Sequence, residues 1–179
     1  MPVDLHLDLD TLNAGLDHIR QAPKDVGTVE LVIRRPAENE REVLAEVELD
    51  TAAGVVGDDW INRGAELDRQ VTLMNARVIG LVAQTKERWP LAGDQLYVDF
   101  DLSTANLPTG SRIQVGSAVL EVTPAPHRGC KKFSGRFGLD ALRFVNSETG
   151  YALRMRGMNA RVVQAGTVRA GDTVRKLPE

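Results

Sequence analysis

The chain has 179 residues, of which 42% are hydrophobic and 26% charged, the balance of an ordinary globular protein long enough to bury one substantial core. No apolar run approaches the ~18 residues needed to span a bilayer, and the acidic stretch 1–10 lacks the basic and apolar regions of a secretory leader, so a cytoplasmic protein with no membrane association is expected. The single cysteine excludes an intrachain disulfide and an all-cysteine metal centre, and His6, His18 and His127 do not fall at zinc-ligand spacing.

In chain order, Leu9, Leu12, Leu16 and Ile19 recur at helical spacing and predict a helix over 9–21, stopped by Pro23. Alternation predicts strands over 28–34 and 42–49, the second with Val43, Ala45, Val47 and Leu49 on one face. The turn residues Arg35, Pro36 and Asn39 make the two a hairpin. Residues 54–60 read as a loop with a Gly57-Asp58 turn, and 70–74 as a strand. Asn75 is placed to cap a helix reaching Trp89, closed by Pro90 and Gly93. Short strands follow over 95–100, 112–115 and 118–122.

Residues 123–138 hold two prolines, three glycines and the cysteine, too Gly/Pro-rich for a helix and too polar for a core strand. A short helix over 139–145 and strands over 158–164 and 173–177, joined by turns at Gly166 and Gly171, complete the chain. Many short strands with glycine turns imply a mainly β fold, a closed barrel with two or three helices outside. No linker or repeat divides it, so one domain over 1–179 is expected, with 1–53 packed on the barrel.

The net charge of −3 hides an asymmetry. Residues 1–125 carry 11 basic and 21 acidic groups, whereas 126–179 carry 11 basic and 4 acidic. A basic segment on an acidic protein points to an anionic partner. With aromatics at 4% and no nucleic-acid motif, a small anionic ligand is expected rather than nucleic acid.

Cys130 sits in this segment, among His127, Arg128, Lys131 and Lys132. Neighbouring cations favour the thiolate, the form that attacks electrophiles and binds soft metals, although most lone cysteines are inert core residues. Arg136, Arg143, Arg154, Arg156 and Arg161 follow, and the guanidinium fork suits phosphate. Arg156-Gly157 stands out because it precedes an expected buried strand. Asp68-Arg69-Gln70-Val71 is read equally as a turn with a surface pair or as a rim contact with Arg69. Gly57-Asp58 and Gly171-Asp172 read as hairpin punctuation.

Taken in order, several of these segments resemble the MOSC domain. They are Gly57-Asp58, Asp68-Arg69-Gln70-Val71, Gly93-Asp94-Gln95-Leu96, Leu107 through Gly116, Val119 through Pro124, Cys130, Arg156-Gly157-Met158-Asn159-Ala160-Arg161-Val162-Val163, Gly166-Thr167-Val168 and Gly171-Asp172-Thr173-Val174. That family includes the C-terminal domain of molybdenum cofactor sulfurases, small stand-alone bacterial proteins and amidoxime-reducing components. The resemblance covers about two-thirds of the chain, near 54–174. This sequence departs from the family's pattern at Asp59-Trp60, Gln95 and Gly129, where the family often has a histidine, an asparagine and a proline.

The resemblance implies a β-barrel with an essential cysteine at Cys130, as sulfur carrier or as ligand to the molybdenum of the cofactor. Arg69, His127, Arg128, Lys131, Lys132, Arg136 and Arg156 are the candidate cofactor contacts. Three functions follow. One is an oxidoreductase that reduces an N-oxygenated substrate with electrons from a partner protein, since no haem or iron–sulfur motif is present. Another is a sulfur carrier that holds a persulfide received from a cysteine desulfurase. The third is a barrel that binds a small anion or a protein without chemistry. Pyridoxal phosphate is not expected, because 179 residues cannot hold the cofactor sulfurases' larger domain.

Overall fold

Side-chain alternation in the strands gives each one an inward apolar row, and a computed structural model, describing residues 6–179, shows those rows closing on themselves. The first five residues of the acidic 1–10 stretch lie outside the described residues. The strands are β1 (Val26–Arg34), β2 (Glu42–Leu44), β3 (Glu46–Asp50), β4 (Gly54–Val55), β5 (Val71–Asn75), β6 (Leu96–Asp99), β7 (Arg112–Val115), β8 (Ala118–Val122), β9 (Met158–Gln164), β10 (Gly166–Arg169) and β11 (Thr173–Lys176). Seven of them, in the order β11-β7-β8-β9-β5-β6-β1, form a closed barrel because β1 pairs with β6 on one side and with β11 on the other. The β5–β6 pair is parallel and is joined through a helix, as a parallel pair requires.

The barrel is filled by side chains such as Leu73, Phe100, Ile113, Leu120 and Val174, all with no exposure, so it is a packed core and not a pore. A small sheet, β10-β3-β4, adds Val47, Leu49 and Val168 to that core.

Six short helices lie outside: α1 (Leu9–Ala14), α2 (Leu16–Arg20), α3 (Ala76–Ala83), α4 (Lys131–Phe137), α5 (Leu139–Val145) and α6 (Glu148–Ala152). They build a second apolar layer from Leu12, Ile79, Phe133, Phe137 and Phe144 against the outer face of β5 and β6. β5 is therefore buried along its whole length.

Several expected elements differ. The helix over 9–21 breaks at Gly15 into α1 and α2, with Leu12 and Ile19 still inward. Asn75 does cap α3, its Oδ1 accepting from the Arg77 amide at 2.9 Å, but the helix stops at Ala83, where Gln84 adopts φ +67°. A 3₁₀ turn carries Trp89 and Pro90. The strand over 42–49 is two: β2 pairs with β1, while β3 joins the small sheet. Only Val47 and Leu49 of the expected face are buried, and Val43 is exposed. The segment 123–138 contains α4, and the turn at Gly166 opens a strand, β10.

Candidate active site

The loop that carries Cys130 has little backbone pairing of its own, so side chains from elsewhere hold its carbonyls and amides. Thr123 Oγ1 donates to the Asp68 carbonyl. Arg69 Nη1 donates to the Pro126 carbonyl at 3.1 Å, and Asn159 Nδ2 to those of Ala125 and Pro126 at 3.2 and 3.3 Å. Asn146 clamps the Gly129 peptide from both sides, accepting from its amide at 2.9 Å and donating to its carbonyl at 3.0 Å. A side chain at Gly129 would meet Leu142 and Val145 of α5 at 2.7 and 3.1 Å. Glycine at this position therefore lets the loop lie flat on the helix.

Beneath the loop is a buried charge cluster. Asp94 and Arg156 stand two residues ahead of β6 and β9, the strands flanking β5. Asp94 has no exposure. Arg156 Nη1 donates to its Oδ2 at 2.6 Å and His127 Nε2 lies 2.7 Å from its Oδ1, while Arg156 Nη2 donates to the Ala92 carbonyl at 2.8 Å. Burial alone would raise the Asp94 pKa, but the charges and hydrogen bonds of Arg156 and His127 outweigh it and hold the carboxyl well below the usual carboxylate range. A carboxylate only accepts, so His127 carries its proton on Nε2 and keeps the lone pair on Nδ1. Burial and the Arg156 charge push the histidine below its ordinary 6.5 despite Asp94.

The signs of these two shifts agree. Both folded pKa values are depressed, so both groups stabilise the fold at higher pH. Below 6.5 the unfolded chain takes up a proton that folded His127 refuses, and at lower pH Asp94's contribution goes as pH falls through its depressed value. Thermal midpoints should fall as the pH is lowered from about 7 toward 5, and His127→Gln should flatten that part of the profile. A profile unchanged by the substitution would refute the assignment.

Gly157, at φ +146°, faces His127 closely. A Cβ there would lie 2.5 Å from His127 Cδ2 and 2.8 Å from the Leu73 carbonyl oxygen. Gly157→Ala is expected to cost about 1–3 kcal/mol and to displace His127. Thermal melts and the His127 ring resonances would register both effects.

Cys130 is the residue immediately before α4, in extended backbone (φ −125°, ψ −178°), and is exposed. Its thiol makes no capping hydrogen bond, yet it lies near the first amides of the helix. Partial burial would raise its pKa; the backbone N–H groups of Phe133 and Lys132 and the charges of Arg156 and Lys132 lower it, and the net effect is downward from 9.0.

Cys130 opens on a cleft of ≈ 180 Å³ walled by Arg35, Arg41, Arg63, Lys132, Arg136 and Arg156, with Glu38 the one acidic side chain in its lining among the described residues. Three of these cations have carboxylate partners. Arg35 is bidentate on buried Asp58 at 3.0 and 2.9 Å, Arg63 pairs with Asp59 at 2.6 Å, and Arg156 with Asp94. Lys132 reaches Glu38 only loosely, at 3.8 Å. Arg41 and Arg136 instead donate to the carbonyls of Pro90 and Leu91, at 2.9 and 2.6 Å. Burial first, and then the charges of Arg136, Arg35 and Arg63, lower the Arg41 pKa. The cleft thus holds two neighbouring guanidiniums without a counter-ion, beside a thiol biased toward thiolate.

Of the expected site residues, His127, Cys130, Lys132, Arg136 and Arg156 line this cleft. Arg69, Arg128 and Lys131 do not. Arg69 fastens the loop and pairs with Glu66 at 3.0 Å rather than with Asp68, Arg128 stacks on Tyr151 at 4.8 Å, and Lys131 is exposed in the first turn of α4. Asp58 is not hairpin punctuation: it is buried, ties down Arg35 and caps a 3₁₀ turn at the Trp60 amide, 3.0 Å away. Arg35, Arg41, Arg63 and Asp94 were not anticipated as site residues. The adjacent Arg34-Arg35 at a strand end, against Pro36, was the one local signal available.

The sequence model of the MOSC domain matches residues 63–175. The chain belongs to the MOSC domain family. Arg35 and Arg41 lie outside the matched stretch, so this MOSC domain draws part of its cleft from its N-terminal hairpin. No curated protein matches the chain in sequence. Among solved structures, the YuaD protein from Bacillus subtilis is similar with a TM-score of 0.60 at 17% identity, over 83% of this chain and 94% of that one. YiiM from Escherichia coli is similar with a TM-score of 0.56 at 16% identity, over 85% of this chain and 70% of that one. YiiM from Geobacillus stearothermophilus gives 0.53 at 15% identity, over 85% and 73%. At these identities the likeness concerns the fold.

Proposed function

We propose that this MOSC domain binds a molybdenum cofactor in the Cys130 cleft, with the Cys130 thiolate as the protein's ligand to molybdenum, and reduces an N-oxygenated substrate. The observation that carries this reading is the thiol with a lowered pKa in the same cleft as Arg41 and Arg136, two cations without a carboxylate.

The donor set fits such a group. Among the described residues no cluster of three or more His, Cys, Asp or Glu side chains could hold a bare metal ion, so a metal at Cys130 would bring most of its ligands with it, and thiolate suits a thiophilic transition metal. Arg41 and Arg136 would grip the cofactor's phosphate through charge-assisted hydrogen bonds. His127, fixed by Asp94 through Nε2, lines the cleft and would serve as a site for proton exchange. When bound, the cofactor supplies a metal that accepts an oxygen atom from the substrate. The net reduction would consume two electrons from a partner protein and two protons and release water.

The exposure of Cys130 favours a second reading, sulfur carriage. Its thiolate attacks the terminal sulfur of a desulfurase persulfide, the donor cysteine leaves as thiolate, and Cys130 keeps the persulfide.

The two readings separate in one series. Cofactor-loaded protein with a reduced viologen should reduce an N-hydroxylated amidine, and Cys130→Ser should lower that rate by at least about 100-fold, since even outer-shell partners of a metal are worth about 10–100-fold. Equal turnover by cofactor-free protein or by the variant would overturn the first reading. Absence of turnover together with a mass gain of one sulfur atom on Cys130, after incubation with a desulfurase and cysteine, would establish the second.

A further inference from the structure

Across the 123–128 loop from the Cys130 cleft lies a second cavity, of ≈ 280 Å³, which shares only His127 with it. One wall carries Arg154. Its backbone is left-handed, φ +47°, a conformation that costs a non-glycine residue free energy and recurs at functional sites. Its Nη1 donates to the carbonyls of Leu107 at 2.7 Å, Leu102 at 3.0 Å and, more weakly, Ser103 at 3.4 Å. Its Nε and Nη2 groups make no hydrogen bond to the described residues. Burial lowers its pKa, and the cavity lining holds no carboxylate among the described residues. A half-buried cation held by carbonyl dipoles and the Met158 sulfur, with no carboxylate, is costly unless an anion arrives to compensate it.

The same cavity is lined by a stacked pair, the Arg128 guanidinium 4.8 Å from the centroid of the half-exposed Tyr151 ring. Pro124, Pro126, Val145 and Met158 add apolar surface, and Thr104, Thr109, Thr123 and His127 add polar groups. One guanidinium edge without a hydrogen bond, a flat aromatic surface and a lining of mixed apolar and hydroxyl character describe one kind of occupant. We propose that this cavity binds a small carboxylate with a flat, apolar body, the carboxylate on the Arg154 fork and the body against Tyr151 and Arg128. The volume sits at the lower limit of ligand pockets, about 300 Å³, which restricts the occupant to a single ring or its equivalent. The proposal does not rest on the cofactor reading, since no part of the Cys130 thiol or the Arg41–Arg136 pair contributes to it.

Benzoate is the probe, titrated into the full chain and followed by ¹H–¹⁵N NMR without cofactor. Saturable shifts are expected at the amides of the 123–128 loop and of 150–158, with a dissociation constant near or below about 1 mM, where a single well-placed anion contact belongs. Benzamide, of the same shape but uncharged, should bind at least about tenfold more weakly. Tyr151→Ala, at an exposed position that leaves the fold intact, should weaken benzoate severalfold, and Arg154→Met should abolish its binding. Arg154→Met removes three carbonyl contacts, so the Tyr151 variant and the benzamide comparison keep the test decisive if that variant fails to fold. Shifts that do not saturate, that map to the Cys130 cleft, or that are equal for benzamide would overturn the assignment.

Discussion

Asp94→Leu is expected to lower the stability of the fold by about 3–5 kcal/mol, the cost of leaving one partner of a buried pair without the other. Arg156 is 9% exposed and would keep its charge with the Ala92 carbonyl and the Phe133 ring but no carboxylate to meet it. In a chain of this length each kcal/mol moves the melting temperature by about 2–4 °C, so a fall of roughly 6–20 °C should be seen. Arg156→Met should do comparable harm by stranding the carboxylate. The double variant Asp94→Leu/Arg156→Met should be more stable than the sum of the singles predicts, because an apolar pair replaces a charged one without an orphan. Additive losses in this cycle would mean that the two residues act separately, against the 2.6 Å geometry.

The second large effect concerns the thiol. Alkylation of Cys130 in the folded protein should have its pH midpoint below 9.0, the value from which its surroundings shift it, and the midpoint should rise in urea. Two of the causes are peptide dipoles of α4 and two are charges, so Lys132→Glu should raise the midpoint only in part. Salt should weaken the charge component and leave the dipole component nearly intact. A folded midpoint at or above the unfolded one would remove the chemical basis assigned to Cys130.

The barrel was legible because its strands are amphipathic at period two, and alternation survives without knowledge of partners. It failed where a strand changes sheets. Between Leu44 and Glu46 the chain leaves β1 for the small sheet, and the alternating row Val43, Ala45, Val47, Leu49 cannot show that its first half faces outward. The four-residue β10 was hidden by its own glycine. α4 was masked by Pro124, Pro126 and Gly129 upstream, although Phe133 and Phe137, four apart and packed at 4.9 Å, carried the helical period.

The site was half legible for a similar reason. Charge segregation pointed to the last third of the chain and drew attention to the basic neighbourhood of Cys130. Yet Arg35, Arg41 and Arg63 come from the acidic part, and the Asp94–Arg156 contact joins residues 62 apart. Pairing at that separation depends on which strands flank β5, and no local pattern encodes it. Arg128 looked like a ligand by proximity to the cysteine in sequence, and Arg69 by its place in the Asp68-Arg69-Gln70-Val71 stretch. The loop turns them away, one onto its own carbonyl framework and the other onto Tyr151.

Cys130 in its arginine-walled cleft is proposed to hold molybdenum by way of the cofactor. Elemental analysis of the full chain, purified from cells that make molybdenum cofactor, tests it most directly. The expected result is close to one molybdenum per chain, falling to background in Cys130→Ser and sharply reduced in Arg41→Met/Arg136→Met, with both variants melting like the parent. Protein free of molybdenum, or a serine variant that retains it in full, would contradict the claim.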